Sequence, residues 1–384
     1  MSAHTYRVVL AGLIALAVAM GVGRFAFTPL LPLMQVDAGV TLTEGSWLAF
    51  ANYLGYLAGA LTTVWMRFAP HHLVRAGLVA TGVLTLAVGL TQGFATWWLL
   101  RFFGGVASAW VLVFSSALVL ERLVVANAPR LFGLVFGGVG VGITVTGLAC
   151  LVLSAAGLGS AAIWIAFGVS SLVASAACWS TFSAPTQKVA AAAGPVSARP
   201  HHGWGLAGWT LIVANGLYGF GYIIPGTFLP VMARDLLGGA FAAGWFWPMF
   251  GVAGFAGSML AGRVPDAYLR RALATSFFIQ AFGVILPVLV ENAAALALGS
   301  LLVGFSLVAI TMLMLRAARG LSAEMRTTAA PLMGAMTAAF GVGQLIGPPF
   351  AGYLVLWLGG FGPSLVVAAT GLALGGVALW IMRQ

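Results

Sequence analysis

The sequence predicts an all-α membrane protein: twelve transmembrane helices in two six-helix bundles related by pseudo-two-fold symmetry. Three observations carry that reading. Of the 384 residues, 61% are hydrophobic and 6% charged, with a mean hydropathy of +1.07, whereas a soluble domain carries about a quarter charged residues. Apolar stretches of about 20 residues recur, the length that crosses roughly 30 Å of hydrocarbon. The chain also repeats itself. Leu13, Ile14, Gly21, Gly23, Leu31, Pro32 and Met34 recur as Leu211, Ile212, Gly219, Gly221, Leu229, Pro230 and Met232, every pair 198 positions apart.

The apolar runs place the first six helices at 8–35, 46–66, 73–92, 97–120, 131–153 and 161–182. The second six fall at 206–232, 242–262, 271–290, 294–315, 328–357 and 363–381. Between them, 184–203 is rich in Ala, Pro and Ser and lacks an apolar run, so it reads as a linker between bundles at 1–183 and 204–384. The first apolar run continues past Arg24 without a small-residue cleavage pattern, which argues against a removable signal.

Basic residues collect in alternate loops: Arg67 and Arg75; Arg122 and Arg130; Lys188 and Arg199; Arg263, Arg270 and Arg271; Arg316, Arg319 and Arg326. Arg7 and Arg383 flank the chain on the same side, and the opposite loops hold Asp37, Glu44, Asp235 and Glu291 with Arg234. The positive-inside rule then makes both termini and the linker cytoplasmic. Two halves entering from the same side are parallel repeats. The net charge of +10 is this loop bias, and no basic face points to nucleic acid. Cys150 and Cys178 lie in apolar spans and indicate no disulfide framework, metal site or redox motif. Scarce lysine beside abundant Ala, Gly and Arg points to a bacterial inner membrane.

Over its whole length the chain resembles a major facilitator transporter. Gly23, Pro29 and Pro32 resemble the first-helix motif G-x5-P-v-x-P of drug–proton antiporters, and Arg101 to Gly105 resembles a fourth-helix R-x-x-x-G motif. Gly343, Gly347, Pro348 and Gly352 resemble the antiporter motif G-x3-G-P-x-x-G-G, though in the eleventh helix and with Ala351 in place of a glycine; the fifth helix keeps glycines from Gly133 to Gly142 without a proline. The cytoplasmic G-x3-D-R-x-G-R-R motif is degraded, with Thr63 and Ala261 where an acid belongs. "GRFAFTPLLPLM" is similar to the signature of the YbfB/YjiJ-type branch. The resemblance implies the fold and transport by alternating access, with the first and fourth helices lining a central cavity.

Two permanent cations, Arg24 and Arg101, fall inside apolar spans, and no Asp or Glu lies deep in any of them. A central arginine costs about 2.5–3.5 kcal/mol on insertion scales and effectively never loses its proton. Cargo with a carboxylate would complete the charge balance. The competing structural reading has Arg101 bracing the Phe25 and Thr28 carbonyls that Pro29 and Pro32 leave without donors. A carboxylate against either guanidinium, or a backbone-lined niche for either, would overturn this anion assignment and leave only the carrier architecture. The expected site joins Arg24 and Arg101 to Asn52, Tyr53 and Tyr56 of the second helix. From the second half it takes Asn215, Tyr218, Tyr222, Trp245 and Gln344. Gly23, Pro29, Pro32, Gly343, Gly347 and Pro348 are expected to pack and bend gating helices, and Trp97, Trp98, Trp204 and Trp380 to anchor at interfaces.

The expected function is a secondary transporter of a small organic anion. Its partners are that cargo, a coupled proton where the cargo carries one, and the bilayer; it acts as a monomer, without cofactor, metal or nucleic acid. A drug or metabolite exporter of the proton-antiporter type is the alternative. An enzyme is disfavoured, because His4, His71, His72, His201 and His202 lie at the terminus or in loops.

Overall fold

A computed structural model describes residues 3–63, 68–182, 204–239, 241–325 and 329–382. The expected linker at 184–203 lies outside the described residues, as do Arg67, Lys188, Arg199, Arg326 and Arg383. All regular elements among the described residues are helices. We label α1 (Ala3–Asp37), α2 (Leu42–Thr62), α3 (Pro70–Leu90), α4 (Phe94–Val125), α5 (Phe132–Ala155) and α6 (Ser160–Cys178). There follow α7 (Gly205–Leu237), α8 (Phe246–Ala261), α9 (Leu269–Leu289), α10 (Ala293–Glu324), α11 (Ala329–Leu358) and α12 (Gly362–Ile381).

Ten of these are long and apolar enough to cross a bilayer. The exceptions have local causes. α8 has 16 residues because its first turn is 3-10 (Phe241–Trp245). α2 has 21 residues, but Glu44, Asn52, Tyr53 and Tyr56 lower its hydropathy.

α1 is not one regular helix. Ala17–Phe25 is π-helical, between α-helical Ala3–Leu16 and Phe27–Asp37. Hydrogen bonding therefore changes register near Ala26, and Pro29 has no N–H to offer. In the i→i+5 register of the π segment, the N–H missing at Pro29 is the one the Arg24 carbonyl would use.

Packing is governed by glycine. α1 crosses α5 and α7 crosses α11; α2 lies along α4 and α8 along α10; α3 packs on α6 and α9 on α12. Each pairing before residue 182 has a counterpart after residue 204. At the crossings Gly21 meets the Gly142 backbone and Gly219 the Phe340 backbone. The mates Gly21 and Gly219 thus do the same work in both stretches, because only a missing side chain lets backbones approach this closely. Gly343 and Gly347 pack on α7 at Gly216 and Ile223, and Gly23 faces Ser108 and Thr81. The first stretch meets the second chiefly where α5 packs on α8 and α2 on α11, and α1 also touches α7. α1 and α7 are the most enclosed spans, with 72% and 78% of their apolar windows buried.

Candidate functional site

Arg24 and Arg101 are the only charged side chains buried among the described residues, at 2% and 5% exposure. The π segment and Pro29 explain where Arg101 goes. Its Nη1 donates to Gly23 O at 3.4 Å and its Nη2 to Arg24 O at 3.3 Å, and it lies over the Phe27 ring at 4.7 Å. Asn52 Nδ2 adds a donor to Gly23 O at 3.2 Å and another to Arg101 O at 3.0 Å. Together they cap the carbonyls at the register change.

Arg24 points the other way, into an aromatic cage. Its guanidinium carbon sits 4.2 Å from the Tyr56 ring centre, 5.0 Å from Tyr53 and 5.5 Å from Phe25. Nη2 donates to Gln344 Oε1 at 2.5 Å and to Tyr222 Oη at 3.4 Å. Gln344 Nε2 donates to Tyr222 Oη in turn. Arg24 Nε is buried without a partner. A cation–π contact contributes about 2 kcal/mol when desolvated, and a hydrogen bond to a charged group about 1.5–3 kcal/mol. These terms offset the insertion cost of Arg24 but leave its charge in place.

No acid is buried among the described residues. Asp37 caps α6, accepting from Ser160 N at 2.6 Å and Ser160 Oγ at 2.8 Å. Glu44 closes a capping box with Thr41. Asp266 pairs with Arg316 at 2.5 Å and is itself exposed.

A cavity of about 380 Å³ opens beside the cage. Tyr56, Tyr218 and Phe340 form its inner wall, and Leu112, Phe136, Met314, Met333 and Met336 make its sides apolar. Tyr222 stacks on Tyr218 at 5.2 Å and on Phe340 at 5.7 Å. Arg24 therefore lies one aromatic layer beyond the cavity. A basic cleft of about 220 Å³ carrying Arg130, Arg316 and Arg319 shares Leu120, Phe132, Phe136 and Arg319 with it. At the opposite end the helices are closed. Thr28 Oγ1 donates to Gly226 O at 2.9 Å, Tyr53 Oη meets Thr227 Oγ1 at 3.0 Å, and Arg234 Nη1 donates to Pro32 O at 3.0 Å. A larger hollow of about 610 Å³ lies at that end, lined by Asp37 and Glu44. Both of its carboxylates are committed to helix caps, and neither buried arginine lines it.

Residues 16–380 match the family profile described as "Uncharacterised MFS-type transporter YbfB". The chain belongs to this family of major facilitator transporters. No curated protein sequence matches it. For a YbfB-type transporter, a multi-pass membrane protein, the central helices α1 and α7 are the natural place to look for a cargo site.

Within this YbfB-type transporter the expected residues divide. Arg24, Tyr53, Tyr56, Tyr222 and Gln344 come together in the cage, with Tyr218 beside it. Arg101 and Asn52 do not join it: both turn to the α1 backbone, so Arg101 occupies the backbone-lined niche that overturns the expected two-arginine anion site, and an anion reading is left resting on Arg24 alone. The carbonyls it serves are Gly23 and Arg24 rather than Phe25 and Thr28, because the π register moves the donor deficit towards the N-terminus. Asn215 lines the cavity, but its Nδ2 bridges to Met336 O at 2.8 Å. Trp245 is misplaced in the expectation. It is 47% exposed in the 3-10 turn, while Trp247, at 1%, packs against Phe25 and Phe250. The helix proper begins at Phe246, which turns Trp247 inward. Trp97 is also no interfacial anchor; it is buried and its Nε1 donates to Val88 O at 3.1 Å and Thr91 O at 3.2 Å, closing the end of α3. Phe340, Thr28 and Thr227 stand outside the expected site. Phe340 is one of many phenylalanines in apolar sequence, and the hydroxyl of Thr28 is one among many Ser and Thr hydroxyls in these spans.

Proposed function

We propose that the chain is a secondary transporter of a small organic anion: a carboxylate with one charged head and an apolar body. It works by alternating access between two six-helix bundles, residues 1–183 and 204–384. The observation that carries the reading is Arg24, a buried permanent cation held only by neutral groups. A carboxylate 4 Å from such a cation gains about 4 kcal/mol at an effective dielectric of 20, against about 1 in water. Arg101 is spent on the backbone, so one guanidinium remains for cargo, which favours a monocarboxylate over a diacid. The apolar cavity suits a hydrocarbon or aromatic body, and Arg130 and Arg319 of the adjoining cleft, where Arg316 is paired with Asp266, would draw anions towards it.

Two-fold symmetry is supported by contacts as well as sequence. Symmetry mates touch only beside their axis, and Arg24–Tyr222 and Thr28–Gly226 are mates 198 apart in contact. The axis then runs between α1 and α7. With the basic loops cytoplasmic, the cavity faces inward and the Thr28–Gly226 end is the closed outer gate.

The test is uptake into liposomes. Purified protein should accumulate radiolabelled apolar monocarboxylates under imposed pH and voltage gradients, and Arg24→Gln should cut uptake by about tenfold or more, a loss of roughly 1.4 kcal/mol. Monodisperse Arg24→Gln protein that transports with wild-type KM removes the anion reading. A drug exporter is the second reading, favoured by Met314, Met333 and Met336, since methionine-rich walls adapt to many shapes. Transport of lipophilic cations in the same liposomes would establish it instead.

A further inference from the structure

We propose that Gln344 is an internal stand-in for the cargo's carboxylate: cargo takes its place on Arg24, and that exchange unlatches the two halves. The inference rests on the anion reading above and adds the residue against which cargo competes.

Gln344 is fully buried in α11, and both ends of its amide are used. Its Oε1 accepts from Arg24 Nη2 at 2.5 Å, while its Nε2 donates to Tyr222. A carboxamide and a carboxylate share one planar shape and differ in charge. Gln344 therefore offers Arg24 the geometry of a carboxylate with one oxygen and no anion. The shortfall is visible at Arg24 Nε, buried with no partner. A carboxylate bridging Nε and Nη2 would satisfy both nitrogens at once, the bidentate mode that a single amide oxygen cannot reproduce. Cargo thus has two advantages over Gln344, a charge and a second oxygen.

The contact also joins the halves. Arg24 lies on α1 and is caged by Tyr53 and Tyr56 of α2, whereas Gln344 and Tyr222 belong to α11 and α7. Moving Arg24 from Gln344 to cargo removes its short hydrogen bond to α11. The route from the cavity is short, because Phe340 lies one turn before Gln344 on α11 and lines the cavity beside Tyr56.

The experiment compares Gln344→Glu, Gln344→Ala and Arg24→Gln in liposomes with radiolabelled octanoate and benzoate. The carboxylate introduced by Gln344→Glu would pair permanently with Arg24, so this variant should lower uptake by about tenfold or more and raise the melting temperature in detergent. Gln344→Ala removes the competitor and should lower KM about threefold, since an occupied site weakens apparent affinity by the fraction of time it is free. Wild-type KM in a folded Gln344→Glu, or an unchanged or raised KM in Gln344→Ala, overturns the proposal. If Gln344→Glu does not fold, the Gln344→Ala KM decides alone. Loss of uptake in Arg24→Gln with Gln344→Glu behaving as wild type sinks the exchange and leaves the anion reading. Normal uptake in Arg24→Gln sinks both.

Discussion

Arg24 and Arg101 carry the same group and meet the same stretch of α1, yet they have opposite surroundings. Arg101 reaches α1 from α4 and donates to the Gly23 and Arg24 carbonyls at the end of the π segment. Arg24 starts on α1 itself and projects towards α7 and α11, where only rings and neutral polar atoms wait. The difference is measurable. Arg101→Ala would strand the Arg24 carbonyl in a buried site, at about 1–3 kcal/mol for a lost partner. We expect a lower melting temperature and lower yield, with cargo KM within about twofold of wild type. A KM rise as large as that of Arg24→Gln would return Arg101 to the cargo site. The sequence disclosed both buried charges and the lack of acids. It did not disclose which arginine was spent on the backbone, since that depends on a π segment that leaves no mark in residue type. Trp245 and Trp247 teach the same lesson: spacing places two indoles near a helix start, and only the true start at Phe246 decides which turns inward.

Among the elements, α5 presents glycines on two faces. Gly138 and Gly142 admit α1 at Leu13, Ala17 and Gly21, while Gly137 and Gly140 admit α8 at Phe255 and Gly251. α5 is thereby held to α1 before residue 182 and to α8 after residue 204. A side chain at Gly142 would start 2.6 Å from Ala17 O and 2.8 Å from Gly21 Cα, atoms of the backbone that cannot swing aside. Gly142→Val should therefore destabilise by about 1–3 kcal/mol or prevent folding, read as a fall in melting temperature in detergent. Gly334→Ala in α11 is the control. No atom lies within 4 Å of its added methyl, so it should be neutral or stabilise by up to about 1 kcal/mol. Equal losses in both would show that helix propensity, not close approach, governs these glycines. Helix positions were legible from apolar runs because bilayer thickness fixes their length. The 3-10 turn before α8 was not, since an amphipathic signal is weak where both faces are apolar.

For the molecule as a whole, the 198-residue offset is the most informative feature of the sequence, because it survives as contacts. Mates at the offset either perform equivalent work, as Gly21 and Gly219 do, or touch, as Thr28 and Gly226 do. On the alternating-access proposal, an arrangement that rocks about an axis between α1 and α7 must open one end as it closes the other. The closed end offers a direct trial. Ser46 on α2 faces Gly352 on α11, and a Cβ built at Gly352 lies 3.2 Å from Ser46 Cβ. A disulfide asks for about 3.8 Å between Cβ atoms, so a small adjustment lets Ser46→Cys and Gly352→Cys form a bond. The native Cys150 and Cys178 are buried and stay out of the reaction. Oxidation of the double variant should stop carboxylate uptake, and reduction should restore it, while each single variant transports under both conditions. A fully cross-linked protein that still transports at the reduced rate would mean that α2 and α11 never part at this end, and the outer gate would have to lie elsewhere than at the Thr28–Gly226 level.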